Sequence, residues 1–167
     1  MKKNIIMGVV KIREITPEDN KEVARLVREV LVELGVPKIG TAYADSTLDD
    51  MFAQSRLPGT AYFVVEEDGK ILGGAGIAPL EQGGEQICEL QKMYFSKEAR
   101  GRGIGSKMME TCLERAREFG YAQCYLETLP YMEAAQRLYK RYGFGPLDAP
   151  MGNTGHFSCT VWMLRDL

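Results

Sequence analysis

The chain has 167 residues, 45% of them apolar and 26% charged, and 21 Lys and Arg against 23 Asp and Glu leave a net charge of −2. That balance is ordinary for a globular protein, excludes disordered and fibrous classes, and argues against a nucleic-acid partner. The length fits one domain, residues 1–167, able to bury roughly 70% of its unfolded surface.

Val9 to Ile15 reads as a short strand, and Thr16-Pro17-Glu18-Asp19 then announces a helix. Thr16 can cap it, Pro17 suits the first turn, and Asp19 completes a capping-box pattern. Val23, Leu26, Val27, Val30, Leu31 and Leu34 follow at helical spacing, with Gly35 as the stop. Residues 36–47 read as a loop and Leu48 to Arg56 as a short second helix. Ala61 to Glu66 and Lys70 to Ile77 flank Asp68-Gly69, a hairpin turn pair. Ile87 to Phe95 is a third long strand. A loop to Arg102 leads into a helix from Gly103 to Phe119, with Ile104, Met108, Cys112, Leu113, Ala116 and Phe119 on its apolar face and Gly120 as its end. Ala122 to Leu129 reads as an interior strand, Tyr131 to Tyr142 as a helix ended by Gly143, Leu147 to Gly155 as a loop and Phe157 to Leu164 as a last strand. This order predicts one mixed α/β domain.

No run approaches the ~20 apolar residues of a membrane span. Lys2, Lys3 and the stretch Ile5 to Val10 are too short for a signal segment. The expectation is a cytoplasmic protein with no membrane partner. Cys88, Cys112, Cys124 and Cys159 form no C-x-x-C pair and the chain has one His, so no metal site is expected. The cysteines read as small buried hydrophobes.

The most informative stretch is Arg100-Gly101-Arg102-Gly103-Ile104-Gly105-Ser106-Lys107, between a strand and a helix start. Its glycines let a ligand approach the backbone, the helix start offers free N–H groups, and three cations stand nearby. Phosphate binding is the natural reading. The G-x-x-x-x-G-K-[ST] loop does not fit, because position 100 is Arg and Gly105 is followed by Ser. A dinucleotide site is a rival, with Glu127 ending the next strand, but the glycines run G-x-G-x-G rather than G-x-G-x-x-G.

The chain resembles the GNAT superfamily of acetyl-CoA-dependent N-acetyltransferases. Arg100, Gly103 and Gly105 match its [QR]-x-x-G-x-[GA] pyrophosphate loop, and Ala135 with Leu138-Tyr139-Lys140-Arg141-Tyr142-Gly143-Phe144 resembles its A-x-x-L-Y-x-x-x-G-F helix. The resemblance implies a mostly antiparallel mixed sheet of about six to seven strands, splayed at its middle and flanked by about four helices. It implies acetyl-CoA as co-substrate, held by Met93, Tyr94 and Phe95 of the opened strand and by Arg100, Gly101, Arg102, Gly103, Ile104, Gly105 and Ser106 of the loop. It implies transfer to an amine of a small molecule or peptide, with Tyr139 protonating the departing thiolate. Glu127 and Glu89 compete as base, directly or through water, and spacing to Tyr139 favours Glu127. The acceptor rim carries Tyr43, Asp45, Asp49 and Asp50 on one loop and His156 on the other, an acidic rim suited to a cationic amine. Met132 stands where the family often has the Asn that contacts pantetheine. A non-catalytic acyl-CoA-binding domain on the same fold is the alternative, and a homodimer is left open.

Overall fold

The computed structural model describes residues 8–167. Strand β1 (Val10–Glu14) leads through a 3-10 turn, Pro17–Asp19, into helix α1 (Asn20–Glu33). The Asp19 carboxylate ties this junction, accepting the Thr16 N–H at 2.8 Å and the Arg13 guanidinium at 2.7 Å. Val23, Leu26, Val27, Val30 and Leu31 are buried, as their spacing predicts. The expected second helix is shorter than 48–56. Ser46–Asp50 is a 3-10 turn and α2 spans Met51–Ser55, because the Asp50 side chain accepts the Ala53 N–H and starts the α-turn there.

Strands β2 (Ala61–Glu67) and β3 (Lys70–Pro79) form the hairpin. Asp68 and Gly69 take φ of 50° and 80°, the two positive values that a type I′ turn needs. The chain continues through β4 (Ile87–Phe95), α3 (Ile104–Glu118), β5 (Gln123–Thr128), α4 (Glu133–Arg141), β6 (Gly145–Leu147) and β7 (Val161–Asp166). The three-residue β6, with a Pro at its centre, is an edge strand too short for any periodicity to announce. β7 starts four residues later than expected, because Ser158 hydrogen-bonds to Gly40 and Ile39 on a distant loop instead of joining the sheet.

The seven strands lie in the order β1-β2-β3-β4-β5-β7-β6. One apolar layer packs α3 on one face, and a second packs α1 and α2 on the other. Only β4 and β5 are parallel, and they pair over just three positions, Ile87 with Gln123, Cys88 with Cys124 and Glu89 with Tyr125. Beyond Glu89 the two strands part, which leaves one backbone edge of β4 unpaired. The register with β3 also slips, so that Lys92 and Met93 share the place opposite Ala75, and Lys92 takes φ +47. The glycines of β3 make room for the prop under this bulge. A Cβ on Gly74 or Gly76 would stand 2.8 or 2.7 Å from the Tyr62 ring, and the Tyr62 hydroxyl donates to the Lys92 carbonyl at 2.9 Å. No helix among the described residues is long and apolar enough to cross a membrane.

Candidate active site

The splay opens a cleft of about 540 Å³ between α1, β4, the glycine loop and α4. Met93, Tyr94, Phe95, Arg100, Gly101, Gly103, Ile104, Gly105, Ser106 and Tyr139 all line it. Gly101 and Gly103 take φ of 71° and 75°, a left-handed conformation that L side chains rarely adopt. Gly103 is the residue before α3, and no side chain caps that helix. The first N–H groups of α3 therefore have no intrahelical partner, an arrangement suited to an anion.

The cations are placed differently from one another. Arg100 lines the cleft, with Nη1 2.7 Å from Glu33 and two further donors on the Phe95 carbonyl. Arg102 does not line it. Its guanidinium grips Glu67 at 2.8 and 3.0 Å. The positive charge expected from this side chain is thus already paired with a carboxylate.

A smaller cavity of about 40 Å³ adjoins the cleft and shares Met93, Tyr94, Met132 and Tyr139 with it. Glu127, Lys92 and Cys159 also line it. Tyr139 is 8% exposed, and burial pushes its phenol up to about 12. Its ring packs edge-on against Phe144.

The polar groups behind this junction form a network. Glu127 accepts from the Tyr125 hydroxyl at 2.7 Å and from the Thr154 hydroxyl at 2.6 Å, one on each oxygen. The same hydroxyls accept the backbone N–H groups of Met151 and His156 at 3.1 Å. Glu127 therefore clamps the loop before β7 onto β5. Glu89 is buried and accepts only from Gln91 among the described residues, at 3.1 Å. Burial raises its carboxyl, and Glu127 adds to the rise, against the opposing pull of Gln91, His156 and Lys92.

The buried Lys92 ammonium lies 2.8 Å from Asp45, and His156 Nε2 lies 3.8 Å from the same carboxylate oxygen. Burial alone would raise Asp45, but His156, Lys92 and Thr47 outweigh it and hold the carboxyl well below its usual range. Asp45 and His156 are thus brought together. Tyr43 stands apart, its ring under the Lys38 ammonium at 5.1 Å and the Arg28 guanidinium at 6.0 Å. The expected acidic rim is largely spent. Asp49 is bound by Arg28 at 2.6 Å, Asp50 caps α2 and accepts from Asn20 at 2.7 Å, and Asp45 serves Lys92. Lys92 is the functional-site residue that local pattern does not announce. Its trace in the sequence is the run Gly73-Gly74-Ala75-Gly76, anomalous inside a strand.

The sequence model of the acetyltransferase (GNAT) family matches residues 25–144. The chain belongs to the GNAT acetyltransferase family. A protein of Escherichia coli K12 described as the uncharacterized N-acetyltransferase YjgM is 44% identical over 156 residues, which cover 93% of each chain. This GNAT chain is accordingly an N-acetyltransferase. Its fold is similar to that of a GNAT acetyltransferase from Staphylococcus aureus Mu50, with a TM-score of 0.84 at 20% identity over 95% of this chain and 99% of that one. It is also similar to the PaiA N-acetyltransferase of Thermoplasma acidophilum, solved in complex with coenzyme A, with a TM-score of 0.72 at 16% identity over 95% and 99% of the two chains. The GNAT architecture accounts for the seven-stranded mixed sheet, parted between β4 and β5 and flanked by four helices.

Proposed function

We propose that this GNAT enzyme transfers the acetyl group of acetyl-CoA directly to a primary amine of a small molecule or peptide. The observation that carries the reading is the shared boundary of the two cavities, where Tyr139 meets the opened edge of β4. The uncapped start of α3 and the left-handed Gly101 and Gly103 suit the pyrophosphate of CoA, with Ile104, Gly105 and Ser106 beside it and Arg100 at the margin. The unpaired edge of β4 at Met93, Tyr94 and Phe95 suits the pantetheine arm. The amine nitrogen bonds to the thioester carbonyl carbon and gives up a proton to a carboxylate, directly or through water. The carbon–sulfur bond then breaks, and Tyr139 delivers its proton to the sulfur.

Glu89 and Glu127 remain the candidates for the base. Both oxygens of Glu127 are engaged by hydroxyl donors, whereas Glu89 has one donor and a raised pKa. This favours Glu89, which lines neither cavity, as a base acting through water, and gives Glu127, which lines the smaller cavity, the holding of the loop. Asp45 and His156 belong to the acceptor side, and Tyr43 belongs to its outer wall. Three buried free thiols agree with a reducing, cytoplasmic setting.

The test is release of free CoA from acetyl-CoA across a panel of primary amines, with the acetylated amine identified by mass. CoA binding without transfer to any amine would favour the acyl-CoA-binding alternative. The loop assignment has its own check. Gly103→Val forces a β-branched residue into φ +75 and sets a side chain where the open space over the loop now lies. Calorimetry should show CoA affinity falling by about tenfold or more. Unchanged affinity in a folded variant would sink the assignment.

A further inference from the structure

Ile39 and Phe157 are 71% and 75% exposed, among the most exposed large apolar side chains of the described residues. They stand on two loops stitched together by Ser158, which donates its N–H to the Gly40 carbonyl at 3.0 Å and its hydroxyl to the Ile39 carbonyl at 2.8 Å. Gly40 takes φ +69, and a Cβ there would stand 2.6 Å from the Phe157 ring. The ring therefore rests on bare backbone, held in place yet mostly uncovered. Each of the two loops contributes to the wall of the smaller cavity, whose remainder is built mainly by β4 and β5. Thr41, two residues after Ile39, and Cys159, two residues after Phe157, both line it. His156, next to Phe157, faces Asp45. Behind this apolar rim Glu127 and Lys92 line the cavity, Asp45 and His156 lie beyond Lys92, and Glu89 is buried beside them, so the surroundings of the cavity carry three carboxylates against one ammonium and one imidazole. The excess of carboxylates suits an ammonium group, and the rim suits an apolar body attached to it.

We infer that Ile39 and Phe157 are a specificity platform, and that the acceptor is a primary amine whose ammonium enters the pocket while its aryl or branched alkyl body covers these two side chains. This rests on the acetyl-transfer reading. Free arylalkylamines and bulky apolar N-terminal residues of peptides share this chemistry.

The experiment measures kcat/KM for 2-phenylethylamine, ethylamine, phenylalaninamide, glycinamide and a peptide with N-terminal Phe, using wild type and the double variant Ile39→Ser, Phe157→Ser. In parallel, calorimetry measures binding of 2-phenylethylamine and ethylamine to both proteins saturated with CoA. Covering one face of such a ring should favour 2-phenylethylamine by about tenfold in rate and in affinity. The double variant should bring that ratio close to one. A peptide turned over as well as phenylalaninamide assigns the platform to chain N-termini, and a peptide refused assigns it to free amines. A ratio near one in wild type, a ratio that survives in the double variant, or no measurable binding of 2-phenylethylamine overturns the platform. So does a double variant that turns from dimer to monomer in sedimentation with its ratio intact, which makes the pair a contact between copies. Selective binding without acetylation leaves the platform standing and overturns the acetyl-transfer reading. Equal acetylation of all amines does the reverse.

Discussion

Replacing Tyr139 by Phe should lower kcat by about a hundredfold or more and leave the acetyl-CoA KM nearly unchanged. The substitution removes one hydroxyl and keeps the ring, so the edge-on contact with Phe144 survives and the fold is not at risk. The hydroxyl is needed only as sulfur gains charge, so its loss belongs to the transition state rather than to binding. Burial holds the phenol at about 12, so the proton stays available throughout the neutral range, and wild type should show no alkaline limb from this group below about pH 11. An unchanged kcat, measured where chemistry limits the rate, removes the acid from Tyr139. A constant kcat with a raised KM turns the hydroxyl into a binding contact.

Glu89→Gln should be nearly as damaging, and it carries a signature in pH. The base must be ionised, and burial raises the Glu89 carboxyl. In wild type kcat/KM should therefore fall on the acidic side through a limb placed above the ordinary Glu value of about 4.3. Glu89→Gln should remove that limb and depress the plateau by about a hundredfold. The same shift has a consequence for stability. The folded protein binds the Glu89 proton more tightly than the unfolded chain does, so this group costs stability as pH rises above its unfolded value. The amide carries no such cost, so Glu89→Gln should raise Tm at neutral pH while it lowers activity. Glu127→Gln should act in the opposite sense on the scaffold. It weakens the grip of Tyr125 and Thr154 on the loop and should lower Tm, with the acidic limb left in place. If the limb disappears with Glu127→Gln and stays with Glu89→Gln, the base is Glu127.

The elements written in consecutive residues are legible in the sequence alone. The spacing of the α1 face, the Asp68-Gly69 turn and the glycines before α3 are local signals, and each is realised within a residue or two. The lining of the cleft is legible only where it is equally local, in the loop from Arg100 to Ser106 and the helix bearing Tyr139. What stayed hidden joins residues far apart in the chain. Lys92 finds Asp45 across 47 positions, and Glu127 finds Thr154 across 27. No period or motif encodes such partners. The acidic rim failed for the same reason, since the basic side chains that neutralise it, Arg28 and Lys92, belong to other elements.

The short parallel seam between β4 and β5 makes the width of the cleft a matter of side-chain volume at one point. The four-stranded and three-stranded halves of the sheet touch through three residue pairs, and the middle pair is Cys88 and Cys124, both fully buried above Cys112 of α3. Compact thiols at that vertex let the halves close tightly there and fan apart toward the substrates. A bulkier pair would act as a wedge, changing the angle between the halves and with it the reach from the glycine loop to Tyr139. The dimensions of the reaction chamber are thereby set in the dry core, by residues that touch no substrate.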